Sequence, residues 1–140
     1  MAKITGAKAH SDLLGRLTSR EMEDEIFKAL FAAGNRIEIA AELSITSGSV
    51  SGKNHVPSAP GEPPNADTRL LDTSIETTGD RKNMKVKVTS NAPYSAALEL
   101  GTSKMAARPF MGPAARKERS AATELVRKAV ARVARKGAQT

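Results

Sequence analysis

The sequence predicts an α+β fold: a long N-terminal helix and an amphipathic C-terminal helix packed on a small antiparallel β-sheet, with a long Pro/Gly-rich loop. Three observations carry the prediction. Apolar residues recur at helical spacing after Thr18. Residues 83–89, NMKVKVT, alternate apolar and charged side chains as a half-buried strand does. Ala122, Leu125, Val126, Ala129, Val130 and Val133 fall at i, i+3, i+4, i+7, i+8 and i+11, the stripe of an amphipathic helix.

The elements follow in order. Residues 7–17 suit a short helix that Gly15 weakens, so 1–18 is read as an arm or short helix within a single domain over 1–140. Thr18 and Glu21 have capping-box spacing, and Glu21, Glu23, Asp24 and Glu25 crowd a first turn where the helix dipole favours anions. Met22, Ile26, Phe27, Leu30, Phe31, Ile37, Ala40, Ala41 and Ser44 extend the period, giving a helix over about 19–46 with Gly34-Asn35 as the place for a bend. Residues 47–66 hold four prolines, three glycines and four serines, and so little to bury that a neighbouring chain is expected to hold this loop in place. Residues 67–78 suit a turn of helix and then a strand near 74–77, with Gly79-Asp80 as the hairpin turn. Residues 93–100 fit either a short helix or a strand, and Gly101 ends them. Gly112-Pro113 opens the C-terminal helix, Gly137 closes it, and 137–140 is a tail.

Composition bounds the function. The chain has 140 residues, 39% hydrophobic and 3% aromatic, and no cysteine. Disulfides and thiolate metal sites are therefore excluded, which fits a reducing compartment. No run approaches the roughly 20 apolar residues of a membrane span, and MAKITGAKAH lacks the apolar core of a secretory signal. Of the +7 net charge, residues 104–140 carry ten Lys and Arg against Glu118 and Glu124, so the basicity belongs to the C-terminal segment. His10 and His55 lack partners at ligand spacing and are read as exposed or locally bonded. The Glu21–Glu25 run is read as a helix-start charge cluster. Gly48 to Gly52 lacks the Lys-Ser/Thr of a phosphate loop, and no serine sits in a nucleophile elbow. No enzyme activity, cofactor or metal is expected.

Residues 90–117, SNAPYSAALELGTSKMAARPFMGPAARK, concentrate the only Tyr, one Phe, two Met and three Pro around a Gly-Thr turn. Tyr94, Glu99, Gly101-Thr102-Ser103, Met105, Arg108-Pro109-Phe110 and Pro113-Ala114 form one motif. Pro60-Gly61-Glu62-Pro63-Pro64, then Asp67-Thr68, Leu70 or Leu71, and Ser74-Ile75, form a second. Together, and in this order, they resemble the signature of small neck or tail-completion proteins of long-tailed phages, the family named for gene product ten of a lambdoid coliphage. The resemblance covers about residues 20–135. This chain departs from the pattern at Ala106 or Ala107, where relatives often carry proline, and at Ala97-Leu98, where they carry a bulkier residue. The resemblance implies a non-enzymatic component of the virion, assembled in the host cytoplasm. It implies a homo-oligomeric ring, hexamer or dodecamer, that joins connector to tail tube at the head–tail junction and meets other neck and tail proteins.

Chain physics is compatible with that expectation. Gly101 reverses the chain at little cost. Pro109 and Pro113 fix φ and stiffen the segment between them, and a stiff loop loses little entropy on docking. Phe110 and Met111 then either face a neighbour or tuck under their own C-terminal helix. Tyr94 either anchors a neighbour or packs locally. Glu99 is expected to fix the turn through backbone N–H groups, and Glu99 with Arg108 is a candidate ion pair, either within the loop or across subunits. The expected interface is thus Tyr94, Glu99, Gly101, Thr102, Met105, Arg108, Pro109, Phe110 and Met111, with Pro60, Pro63 and Pro64. Arg127, Lys128, Arg132 and Arg135 lie off the apolar stripe and are the candidates for contact with DNA in the lumen or with an acidic partner. A small nucleic-acid-binding protein acting through this helix is the alternative, although no base-reading motif or interleaved aromatic accompanies it.

Overall fold

The computed structural model describes residues 6–47, 49–50 and 52–136. Five helices and one two-stranded antiparallel sheet make the α+β fold: α1 Ala7–Leu17, α2 Arg20–Thr46, α3 Leu70–Thr73, β1 Ile75–Asp80, β2 Lys85–Ser90, α4 Ser95–Leu100 and α5 Met111–Arg135. A single 3₁₀ turn, Gly52–Asn54, interrupts the loop after α2. The expected closure at Gly137 and the tail 137–140 lie outside the described residues.

The long helix starts one residue later than its expected cap. Ser19, not Thr18, accepts the Met22 N–H at 3.2 Å, because the Thr18 hydroxyl is spent on the Leu14 carbonyl at the end of α1. With Met22 at the third helical position, no reciprocal carboxylate completes a box.

Helices α2 and α5 run antiparallel. Arg36 reaches Glu118, Arg132 reaches Glu25, and Lys136 reaches Glu21 at 2.5 Å, each pair further toward opposite chain ends. Small residues line the seam: Ala29, Ala33 and Ala41 on α2, and Ala114, Ala129 and Val133 on α5, are all buried. At the C-terminal end of α2 the core closes over Ala41, Ile45, Ala66, Leu71, Ile75, Ala92, Phe110 and Ala114. The Lys136–Glu21 hydrogen bond raises the Lys136 pKa.

The hairpin sits on the other face of α2 through two reciprocal glycine sockets. A Cβ on Gly34 would come within 2.7 Å of Thr77 Cγ2 and 2.8 Å of Val86 Cγ1. A Cβ on Gly79 would come within 2.6 Å of Phe27 Cζ. The expected bend at Gly34 is thus a packing requirement: the sheet lies against the helix backbone there. Thr77 also donates its hydroxyl to Glu38 on α2. Arg81 packs its guanidinium 5.9 Å from the Phe27 ring centroid and pairs with Asp24.

Two further expectations need correction, and one open choice is settled. Gly79 and Asp80 belong to β1, pairing with Val86 and Lys85, and the hairpin turn is 81–84. Asp80 holds that turn by accepting the Asn83 N–H and side-chain amide, which lowers its pKa, and Met84 takes φ 49°. Residues 93–100 resolve as helix, since their carbonyls are used locally: Ser95 bonds Ala92 and Leu98 bonds Tyr94. Finally, the Pro-rich loop is held by its own chain. The Ala66 N–H donates to the Ile45 carbonyl, Gly61 N–H to Ala107, and Gly52 N–H to the Asp67 carboxylate; Pro64 and Ala66 are buried.

Two stability predictions follow from this packing. Gly34→Ala raises helix propensity yet should destabilise by about 1–3 kcal/mol in denaturant unfolding, because the new methyl overpacks the socket. Glu42 has its pKa raised by burial, then by the charges of Glu38 and Asp72. An acid whose folded pKa is raised weakens the fold at neutral pH and stops doing so as pH falls through that value. Glu42→Gln should therefore stabilise by about 0.2–0.5 kcal/mol at pH 7, and thermal melts at descending pH should show the gain fading.

Candidate functional site

The motif segment is a rigid corner built between α4 and α5. An α-helix leaves its first N–H groups without intrahelical partners. Here Glu99, one residue from the end of α4, supplies them from outside α5. Its Oε2 accepts Phe110 N–H at 2.8 Å and Met111 N–H at 3.0 Å, and its Oε1 accepts Gly112 N–H at 2.8 Å. The next residue, Pro113, has no N–H to satisfy. One carboxylate thus closes the whole set, at the helix end where negative charge is favoured. Proline was expected at the first helical position; it stands third, where its missing donor completes this arrangement. Gly112 gives the carboxylate room, since a Cβ there would lie 3.0 Å from Glu99 Oε1 and press it aside.

The intervening turn is equally tied. Gly101 takes φ 78° and packs against Ala107, whose backbone nitrogen a Cβ on Gly101 would approach to 2.8 Å. Thr102 and Met105 form an isolated bridge, with Thr102 N–H donating to Met105 O at 2.8 Å. Arg108 N–H then returns to Leu98 O at 2.6 Å.

These bonds decide where each motif side chain goes. Phe110 is only 1% exposed and belongs to the core of its own chain; Met111 is half-buried against the same core. Neither is an outward-facing contact, because the Glu99 clamp turns their backbone into α5 and their side chains under it. Pro64 is also buried, while Pro63, Pro109 and Met105 are half-buried and Pro60 is exposed. What remains outward is Tyr94, Thr102, Ser103, Lys104 and Leu100, the last 80% exposed. Glu99 and Arg108 do not pair: the carboxylate is committed to α5.

Arg108 instead lines a cleft of about 290 Å³ between the Pro-rich loop and α4, together with Tyr94, Leu98, Pro64, Ser58 and Leu70. Nothing in the sequence marks Ser58, which lies in a loop without periodicity. Beside the cleft, Asp72 is 2% exposed and is held by Arg69 at 2.6 Å; Arg69 adopts φ 66°. An acid directly after two leucines in LLDT was the available signal.

The basic residues of α5 are less free than their count suggests. Arg127 pairs with Glu124 at 3.2 Å, and Arg132 with Glu25 at 3.7 Å. Lys128 and Arg135 are exposed and have no ion-pair partner among the described residues, and all four border one shallow groove around Leu125. Among the described residues, no group of three acidic or histidine side chains is placed to hold a metal ion, and no helix is long and apolar enough to cross a membrane.

No family model matches the chain, and no curated protein or solved structure matches it either.

Glu99→Gln keeps the size of the side chain but replaces one acceptor with an amide donor facing N–H groups. It should cost about 2–3 kcal/mol in chemical denaturation, with loss of helical circular dichroism at the start of α5. Arg108→Gln, which breaks no side-chain bond, should leave the unfolding midpoint within about 0.5 kcal/mol of wild type.

Proposed function

We propose that the chain is a structural protein of a long-tailed phage virion, a neck or tail-completion component whose copies form a ring between connector and tail tube. The two Pro-rich motifs support this reading through their resemblance to that family. The observation that carries it physically is the Glu99 clamp. It makes residues 94–112 a braced corner and leaves Tyr94 and Leu100 exposed at 41% and 80%. Apolar side chains held out on a pre-ordered segment dock with little further entropy loss, which suits repeated subunit contacts. The burial of Phe110 and Met111 narrows the outward surface to the α4 side of the turn.

Mass spectrometry of purified particles should find the chain at a fixed copy number, and light scattering of the isolated protein should report a closed oligomer or its precursor. A chain missing from finished particles overturns this reading. The double change Tyr94→Ala, Leu100→Ala should lower incorporation at least tenfold while leaving the melting temperature unchanged.

A DNA-binding reading is favoured by one observation, the exposed Lys128 and Arg135 beside Arg127, which have no ion-pair partner among the described residues. It requires duplex binding that falls steeply with salt and is lost on neutralising these residues. Arg132 and Lys136 meet Glu25 and Glu21 only in exposed pairs, so on this reading the protein binds duplex DNA at about 50 mM salt in a filter or anisotropy assay, and no binding there overturns it.

A further inference from the structure

The geometry points to the two free edges of the hairpin as complementary halves of one contact: β1 of one copy pairs with β2 of the next, joining the hairpins into a continuous antiparallel sheet. The inference rests on the self-assembly proposed above and names one of its contacts. Asn91 N–H donates to Ser74 O at 3.0 Å, in the register that pairs Ile75 with Ser90. Facing residues of an antiparallel pair alternate between those that exchange hydrogen bonds and those that do not. Counting from Ser74 and Asn91, the bonded pairs are Glu76–Thr89, Thr78–Lys87 and Asp80–Lys85. Thr77 and Gly79 therefore turn their N–H and C=O groups away from β2, and Val86 and Val88 turn theirs away from β1. None of these groups has a backbone partner elsewhere among the described residues. Gly79 is exposed, while Thr77, Val86 and Val88 are half-buried and rest their side chains on α2 at Gly34. Such edges are templates for a further strand.

Charge selects which strand. On the solvent face β1 carries Glu76, Thr78 and Asp80, and β2 carries Lys85 and Lys87, all exposed. The charged ones form no ion pair among the described residues. Glu76 and Asp80 hold Asn91 and Asn83, neutral partners that leave both carboxylates charged. Two β1 edges would set acid against acid, and two β2 edges lysine against lysine, which is unfavourable. A β1 edge on a β2 edge does the reverse. In every antiparallel register that joins Thr77 or Gly79 to Val86 or Val88 as a bonded pair, Lys85 or Lys87 falls opposite Glu76 or Asp80. The favoured contact uses different surfaces on the two copies, so it is heterologous, the kind that generates rings. Dimensions agree. Two strands span roughly 10 Å, and packed helices lie about 8–10 Å apart, so one α2 per hairpin keeps step with the sheet. Ile39 follows Glu38, whose carboxylate meets Thr77, and one residue turns about 100° around a helix. Ile39 and Leu43, 54% and 59% exposed, thus point sideways along the direction of strand addition, where a neighbouring copy covers them.

The test has two arms on the full chain. In the first, sedimentation velocity is run on Glu76→Lys/Asp80→Asn, on Lys85→Glu/Lys87→Glu, and on an equimolar mixture of the two. The first variant has two basic edges and the second two acidic ones, so each alone should self-associate about tenfold more weakly than wild type. The mixture should recover wild-type association, because every edge then finds one of opposite sign. A mixture that associates no better than its components overturns the proposal. The second arm needs no variant to fold. Amide hydrogen exchange of the wild-type chain, followed over a dilution series, should show the N–H groups of Thr77, Gly79, Val86 and Val88 at least about tenfold better protected in the associated form. An oligomer in which they exchange as in the monomer sinks the strand pairing while sparing the ring. A chain that stays monomeric throughout also sinks the pairing, while its presence or absence in particles separately decides the ring.

Discussion

One carboxylate organises this molecule. Glu99 is placed by a six-residue helix and spends both oxygens on the start of a 25-residue one. Because α5 supplies half of the alanine-lined seam with α2, the direction in which α5 leaves the corner sets where that seam forms. Phe110, beside the clamp, is then committed to the core under both helices. The corner and the core are therefore one structure, and the outward residues inherit its rigidity.

The hairpin adds a second layer by a different device. Each partner offers the other a glycine, so the contact has depth on both sides: Thr77 and Val86 enter at Gly34, and Phe27 enters at Gly79. Arg81 and Glu38 close the ends of this contact with charge. The molecule has few large side chains, and close backbone approach takes the place of bulk.

Much of this was legible in the sequence. Both long helices announced themselves by period, and Val86 and Val88 announced β2 by alternation, since burial on one face leaves that mark directly, although Met84 of the same pattern falls in the turn. Glu99 as a backbone-binding acid was also legible, from its place before a Gly turn and two prolines. Other features were not. Thr18 and Ser19 are chemically equal as caps, and only the end of α1 decides between them. Gly34 reads as a weak point in a helix until a strand is known to cross it. Gly79-Asp80 reads as a turn because register is set by the socket at Phe27, a contact across more than fifty residues. The Pro-rich loop looked unsupported because two of its anchors, Ile45 O and Ala107 O, are backbone groups that carry no side-chain signature.

The span of the clamp has a kinetic meaning. Glu99 and Phe110 are separated by 11 residues, whereas Glu21 and Lys136, which join the far ends of α2 and α5, are separated by 115. Loop-closure entropy makes the longer contact costlier by about 2 kcal/mol before any favourable energy is gained. The α4–α5 elbow can close as a local event and present a ready surface onto which the distant N-terminal helix condenses. Contact order thus assigns the motif a part in the order of folding, independent of anything it later touches.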